Sequence, residues 1–181
     1  MEENEKKPLP RWKTARIIVP VLILAFIGGL WFVKNMNTQE PPGENVHPDF
    51  ALHVTEELNL EQLKSHGLPI MIDFGADSCA PCKEMAPVLE KLNKELQGKA
   101  IIKFVDVWKY PDLAQGYPLT VIPTQVFFDK DGKPYSPADP QEMRMNLYTL
   151  KETNEHVFTT HEGGMTEEMI LTVLSELGLE G

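Results

Sequence analysis

The chain's only two cysteines stand where an apolar segment meets an amphipathic one, and this junction restricts the possible folds most. Residues Pro69–Gly75 form an apolar segment with a single acid, which is typical of a buried strand. From Cys82 to Leu96 the apolar residues recur at helical spacing, and Pro87 is expected to kink that helix. A strand that leads into a helix through a Cys-x-x-Cys sequence predicts a domain that combines strands and helices.

The segments on either side of this junction continue the alternation of strands and helices. A helix is predicted at Glu56–Ser65, ended by Gly67, and another at Thr166–Leu177, with Thr166 as its N-cap. Further strands are predicted at Ala100–Val107, Thr124–Phe128, Met145–Leu150 and His156–Thr160, with a hairpin turn at Asp129–Gly132. This order predicts an α/β fold with a central mixed β-sheet flanked by helices.

An uncharged run extends from Ile17 to Val33 and is close to the minimum length for a helix that crosses a membrane. Basic residues crowd the tail before this run, and only Lys34 closely follows it. The positive-inside rule therefore places the N-terminus in the cytoplasm. Because no small-residue cleavage site follows the run, an uncleaved anchor is favoured over a signal peptide.

These patterns divide the chain into a basic cytoplasmic tail at 1–16, a transmembrane anchor at 17–34, a linker at 35–50 and a domain at 51–181. In a bacterial cell the domain would lie in the periplasm or at the outer face of the cell membrane, where disulfides persist. The net charge of -10 arises from acids that mostly follow residue 40. An acidic domain argues against a nucleic-acid partner, because phosphate binding needs basic side chains.

Cys79 and Cys82 are too close in sequence to staple distant parts of the fold, so chemistry explains the pair better than stability does. The partial positive charge at a helix N-terminus stabilises a Cys79 thiolate, the attacking species in disulfide exchange. Cys82, one turn inside the helix, is expected to be less exposed and to resolve the mixed disulfide. Burial is expected to raise the pKa of Asp73, which either exchanges a proton with Cys82 or is a carboxylate satisfied by hydrogen bonds.

Other uses of a Cys-x-x-Cys sequence fit this chain less well. Haem attachment requires a histidine directly after the second cysteine, and Lys83 stands there instead. Structural zinc needs four ligands, and the candidate histidines, His156 and His161, stand far from the cysteines in sequence. Packing on a helix face explains Met165 and Met169 better than a soft metal does, while Met143 and Met145 lie in an inserted segment. We therefore predict no metal and no cofactor other than a redox-active Cys79–Cys82 disulfide.

The stretch Ile72–Lys83, continued by Ala86–Leu89, resembles the active-site strand and helix of the thioredoxin family. Val121–Thr124 resembles the family's cis-proline loop, and Gly163-Gly164 also fits the family pattern before the last helix. The resemblance covers the chain from about Pro69 to Gly178, apart from an insertion around 135–153 that we interpret as a tolerated loop rather than a partner-docking surface. It implies a thioredoxin-like fold, which the predicted transmembrane helix precedes.

This resemblance implies a role for each matching residue. Cys79 would be the nucleophile, Cys82 the resolving thiol and Asp73 the buried proton-transfer acid. Lys103 would match the family lysine that pairs with this acid, although a surface lysine at a strand end explains it equally well. The peptide bond before Pro123 would be cis, and the Ile122 backbone would form hydrogen bonds with the substrate. Four residues would contact the substrate: Ala80, Pro81, Ile122 and Pro123.

The resemblance further implies a thiol–disulfide oxidoreductase that acts on protein thiols and disulfides. Proline before the second cysteine is typical of reductants in this family, so Pro81 favours a protein-disulfide reductase over an oxidase or isomerase. Two residues depart from the family pattern, Ser78 in place of tryptophan and Ala80 in place of glycine. The missing tryptophan indicates a different set of partners, because that side chain would contact them. Electrons would come from a transmembrane disulfide reductase. A non-catalytic binding module or metal chaperone with the same fold is the third hypothesis.

Overall fold

The computed structural model describes residues 47–141 and 143–180. The predicted cytoplasmic tail and transmembrane anchor, with nearly all of the predicted linker, lie outside these residues. Within the two described ranges, no helix has both the length and the apolar character needed to cross a membrane.

Strands and helices follow one another largely in the predicted order. The strands are β1 (Ile70–Gly75), β2 (Ile101–Asp106), β3 (Thr124–Phe128), β4 (Met145–Thr149) and β5 (His156–Glu162). The α-helices of the described residues are α1 (Leu60–Lys64), α2 (Ala80–Glu95) and α3 (Glu167–Glu176), with short 3-10 helices at Pro48–Phe50 and Pro111–Ala114. The strands form one sheet in the order β2-β1-β3-β5-β4, in which only β1 and β2 run parallel.

Both faces of this mixed sheet are covered, so β1 is buried along its whole length. One face packs against α2 and α3 through a cluster that includes Leu89 and Ile170. The opposite face packs against α1 and the loop around Tyr117 through a second cluster that includes Ile72 and Leu63. A strand buried on both faces needs apolar residues at successive positions, which explains the nearly continuous apolar character of β1.

Capping residues determine where the two shorter helices, α1 and α3, begin. The Thr166 side chain accepts a hydrogen bond from the Met169 amide at 3.3 Å, so α3 begins as predicted. The predicted helix start at Glu56 is wrong, because the Asn59 side chain accepts from the Gln62 amide at 3.1 Å and α1 begins only at Leu60. Asparagine competes well for this role, since its side-chain oxygen replaces a missing backbone partner.

The segment predicted as an insertion contributes to the sheet. The predicted strand near Met145 is confirmed as β4, which pairs antiparallel with β5 and forms one edge of the sheet. Met145 is buried in the cluster beneath α2 and α3. The interpretation of 135–153 as merely a tolerated loop is therefore wrong for this part, because backbone pairing and a core side chain bind it to the domain.

Candidate active site

The two cysteines lie where α2 begins. Cys79 is the N-cap of the helix, and its carbonyl oxygen accepts a hydrogen bond from the Lys83 amide at 3.1 Å. Cys79 and Cys82 form a disulfide with their Cα atoms 5.3 Å apart. The first turn of α2, described in full, holds no acidic residue that would offset the positive end of the helix dipole. Once the disulfide is reduced, this position therefore stabilises a thiolate on Cys79.

The two sulfurs differ in access. Cys79 retains 9% of its surface exposed and Cys82 only 4%. This agrees with the prediction that Cys82 is the less exposed cysteine. Ala80 and Pro81, the residues between them, are exposed. Ile122 packs against the small cluster that both cysteines form with Ala76. Cys79 is therefore the more exposed of the two cysteines.

The loop before β3 passes beside the disulfide. The peptide bond between Ile122 and Pro123 is cis, as the resemblance implies. The Ile122 carbonyl oxygen lies 4.0 Å from the Cys79 sulfur. The Pro123 carbonyl oxygen accepts from the Gly163 amide at 2.8 Å, which ties this loop to the end of β5. The arrangement leaves backbone groups of the loop next to the more accessible sulfur.

Asp73 lies in the middle of β1 and is wholly buried. Its Oδ1 accepts a hydrogen bond from Gln125 Nε2 at 2.7 Å, whereas Oδ2 has no partner among the described residues. Burial raises the pKa of Asp73 to about 7, and the hydrogen bond from Gln125 opposes part of this rise. A carboxyl with this pKa can take up or release a proton near neutral pH.

Gly75 keeps a small space open between this carboxyl and the cysteines. A Cβ atom at Gly75 would lie 2.9 Å from Phe104 Cε2, 3.1 Å from the Cys82 sulfur and 3.4 Å from Asp73 Oδ2. The unpartnered oxygen of Asp73 and the sulfur of Cys82 thus border the same space. A proton exchanged between Cys82 and Asp73 would cross this space.

Lys103 does not pair with Asp73, and that prediction is wrong. In the parallel register Asp73 lies beside Phe104, while Lys103 lies beside Ile72 on the opposite face of the sheet. The Lys103 amine is buried and donates to the Pro48 and Ala51 carbonyl oxygens at 2.8 and 2.7 Å. Burial lowers its pKa to about 8, and the Asp49 carboxylate opposes this change. The surface-lysine interpretation is therefore also wrong.

The partner of Asp73 is Gln125, which the sequence analysis missed. Gln125 is the polar residue inside the otherwise largely apolar β3, and that interruption is the signal that could have revealed it. A polar amide in a fully buried strand requires buried partners. The partner could not be identified without knowing that β1 and β3 are neighbours.

One group of side chains has ligands suited to a metal ion. The ligand atoms of His47, Asp49 and His66 lie within 4.8 Å of one another. Asp49 also accepts from Gln62 Nε2 at 2.9 Å and lies 2.7 Å from His66 Nε2. These hydrogen bonds account for the arrangement, since they hold the segment that contains Asp49 against α1.

The residues weighed earlier as metal ligands have partners in the sheet and the core. His156 Nε2 lies 2.7 Å from the Thr159 hydroxyl, and His161 Nδ1 lies 2.9 Å from Gln125 Oε1. Met145 and Met165 are buried in the cluster beneath α2 and α3. Packing therefore explains Met165, as expected, and it also accounts for Met145.

A disulfide at a helix start, a neighbouring cis-proline and a buried acid together define a site for thiol–disulfide exchange. The family model described as Thioredoxin matches residues 51–149, so the chain belongs to the thioredoxin family. Family and cysteine pair together support a thiol–disulfide oxidoreductase.

Individual relatives and one solved structure are also similar to this chain. The thioredoxin of Staphylococcus aureus is 47% identical over 77 residues, which cover 42% of this chain and 73% of the relative. The thioredoxin of Rickettsia bellii is 30% identical over 83 residues, which cover 46% of this chain and 78% of the relative. The X-ray structure of Fasciola hepatica thioredoxin matches with a TM-score of 0.45 and 28% identity, over 65% of this chain and 90% of that one.

Gly75→Ala is expected to lower the free energy of unfolding by about 1–3 kcal/mol, because the added methyl group overpacks the space beside Phe104 and Cys82. Urea unfolding of the oxidised chain measures the change. Gly164→Ala is the matched control, since a Cβ there meets nothing within 4 Å of the described residues. Equal stability of the two variants would show that the space over Gly75 is not restricted.

Asp73→Asn is expected to remove a pH dependence of stability. Because the pKa of Asp73 is raised from 3.8 to about 7 in the folded chain, folding favours the protonated carboxyl. Its contribution is complete below about pH 4 and is lost as the pH rises through about 7. The wild type should therefore lose on the order of 4 kcal/mol relative to Asp73→Asn between about pH 4 and pH 8.

Urea unfolding at several pH values measures this difference. Asp131→Asn, at an exposed position in the turn after β3, should follow the wild type throughout. A constant difference between the wild type and Asp73→Asn across the pH range would contradict the raised pKa.

Proposed function

We propose that this protein is a membrane-tethered reductase of protein disulfides, with its N-terminus in the cytoplasm and its redox domain outside a bacterial cell membrane. The observation that carries the chemical part is the site itself. Cys79, at a helix start, keeps 9% of its surface exposed against 4% for Cys82, and the Cys82 sulfur borders the same space as the unpartnered oxygen of a buried acid. The location rests on the uncharged run Ile17–Val33 and the basic residues before it.

The first step uses the reduced protein. The Cys79 thiolate attacks one sulfur of a client disulfide, the client S–S bond breaks, and a Cys79–client mixed disulfide forms. The other client sulfur leaves with the electron pair of the broken bond and takes a proton from solvent. The helix N-terminus favours this step because it raises the thiolate fraction of Cys79 near neutral pH.

The second step releases the client. Cys82 passes its proton to Asp73 Oδ2 and attacks the Cys79 sulfur, so that the mixed disulfide breaks and the Cys79–Cys82 disulfide forms. The second client sulfur leaves as a thiolate and is protonated. Two electrons have moved from the protein to the client. A membrane dithiol reductase is the proposed donor that returns the protein to its reduced form.

Client contact is proposed for the surface around the cis-proline loop. Val121, directly before Ile122, is exposed, and so is Trp108 in the loop after β2. The Asp106 carboxylate accepts from the backbone amides of both Trp108 and Asp77 at 3.0 Å, so the Trp108 loop is tied to the loop that precedes Cys79. An extended client segment can pair with the backbone of Ile122, while exposed apolar side chains contact its neighbours.

Cys82→Ser is expected to accumulate mixed disulfides between Cys79 and its clients, because the second step then lacks its nucleophile. The full-length chain is expressed in bacterial cells, and adducts that disappear on treatment with dithiothreitol are counted on non-reducing gels. Cys79→Ser is the matched control and should form almost none, since Cys82 is only 4% exposed. Adducts in equal amounts on both variants, or on neither, would contradict the assignment of the two cysteines.

The reduction potential of the Cys79–Cys82 couple tests the direction of electron flow. Equilibration with glutathione buffers should give a value more negative than about −220 mV, as a reductant requires. Pro81→Ala should make the couple more oxidising if Pro81 contributes to this direction. A wild-type value near about −120 mV would instead assign the protein to the disulfide oxidases.

A further inference from the structure

Three buried polar side chains form a row across the sheet behind the cysteines. Asp73 on β1 lies beside Gln125 on β3, and Gln125 lies beside His161 on β5. His161 Nδ1 and Gln125 Oε1 are 2.9 Å apart, and Gln125 Nε2 is 2.7 Å from Asp73 Oδ1. All three side chains are buried. A continuous hydrogen-bonded chain therefore leads from β5 to the acid beside Cys82.

Packing does not explain this row. It lies on the sheet face that α2 and α3 cover, among apolar side chains such as Met85 and Phe104. Burying a polar group there without a partner is costly, and replacing partnered groups by apolar ones of similar shape is nearly neutral. The row ends at Asp73 Oδ2, which has no partner among the described residues and borders the same space over Gly75 as the Cys82 sulfur.

The chemistry of the three groups fixes the direction of the hydrogen bonds. An ionised Asp73 can only accept, so Gln125 must turn its NH2 group towards Oδ1. The amide oxygen of Gln125 then faces His161, and only an N–H at Nδ1 can satisfy it. Burial, with a smaller effect of Arg144, lowers the pKa of His161, while a backbone hydrogen bond to Gly163 and the Glu162 carboxylate oppose this.

This orientation decides which oxygen of Asp73 carries the proton. Because the NH2 group of Gln125 occupies Oδ1, that oxygen stays an acceptor and the proton binds at Oδ2, towards Cys82. A glutamine amide without a second partner could turn over and present its oxygen to the carboxyl instead. His161 prevents this rotation by donating to Oε1.

We propose that His161, through Gln125, is a positioning residue that holds the exchangeable proton of Asp73 on the oxygen facing Cys82. This inference deepens the proposed function and rests on it, because the proton transfer belongs to the release step. The groups that face Asp73 are Cys82 from α2, Phe104 from β2 and Gln125 from β3, with His161 one residue further along the row.

The test is the titration of the Asp73 carboxyl in the full-length oxidised chain in detergent, followed by carbon-13 NMR with aspartate labelled at the carboxyl carbon. Asp73→Asn assigns the signal. His161→Leu should move the midpoint upwards by about half to one pH unit, because the carboxylate loses an oriented donor. His161→Asn, whose amide can still donate to Gln125, should restore the wild-type midpoint. His156→Leu, on the same strand but outside the row, is the matched control and should leave it unchanged.

The pH dependence of insulin reduction, with dithiothreitol as the electron source, gives a second readout. Only the ionised Asp73 carboxylate can accept the proton of Cys82, so the reduction rate should rise with pH as Asp73 ionises. In His161→Leu the pH of this rise should move upwards by the same amount as the midpoint of the carboxyl titration. His161→Asn should reverse this shift.

Two results would overturn the inference: an unchanged Asp73 midpoint in folded His161→Leu, or His161→Asn behaving like His161→Leu. If His161→Leu does not fold, His161→Phe carries the test, because it keeps a ring at this position while removing the donor to Gln125, and it must raise the midpoint. A wild type that reduces no insulin at any pH would refute the proposed function alone, since the carboxyl titration is still measured.

Discussion

The burial of one carboxyl group beside one sulfur organises the chemistry of this domain. Asp73 lies on a strand covered on both faces, where water cannot solvate its charge, and its pKa is raised to about 7. One oxygen accepts from Gln125, and the other is left to face the space over Gly75 that Cys82 borders. The group can therefore exchange a proton at neutral pH at the place where a thiol must lose one.

The rest of the fold prepares the two sulfurs for different tasks. The start of α2 places Cys79 at the positive end of a helix and leaves it partly accessible, while Cys82 lies one turn inside. The cis-proline loop passes beside the Cys79 sulfur and offers backbone groups there. An attacking sulfur, a resolving sulfur and a proton acceptor are thus arranged from the surface inwards, which is the order in which the proposed reaction uses them.

Local patterns predicted most of the elements, and long-range pairing explains where they failed. The strands at Ile70–Gly75 and Thr124–Phe128 were predicted almost to the residue because turn residues and apolar runs define them locally. The start of α1 was misplaced because Asn59 outcompetes the earlier residues as a cap. Lys103 was assigned to Asp73, but a difference of one residue in a strand moves a side chain to the other face of the sheet.

From the sequence alone, the Cys-x-x-Cys at a strand–helix junction indicated thiol–disulfide chemistry, because helix dipole and residue spacing act locally. The family followed from the combined resemblance of Ile72–Lys83 and Val121–Thr124 to thioredoxins. The sequence also identified Asp73 as a candidate site residue, since an acid within an apolar strand is unusual. Only the tertiary structure decided which groups meet that acid. Gln125 and His161 are 52 and 88 positions away from Asp73 in sequence, and it is the pairing of β1 with β3 and of β3 with β5 that joins them in one row.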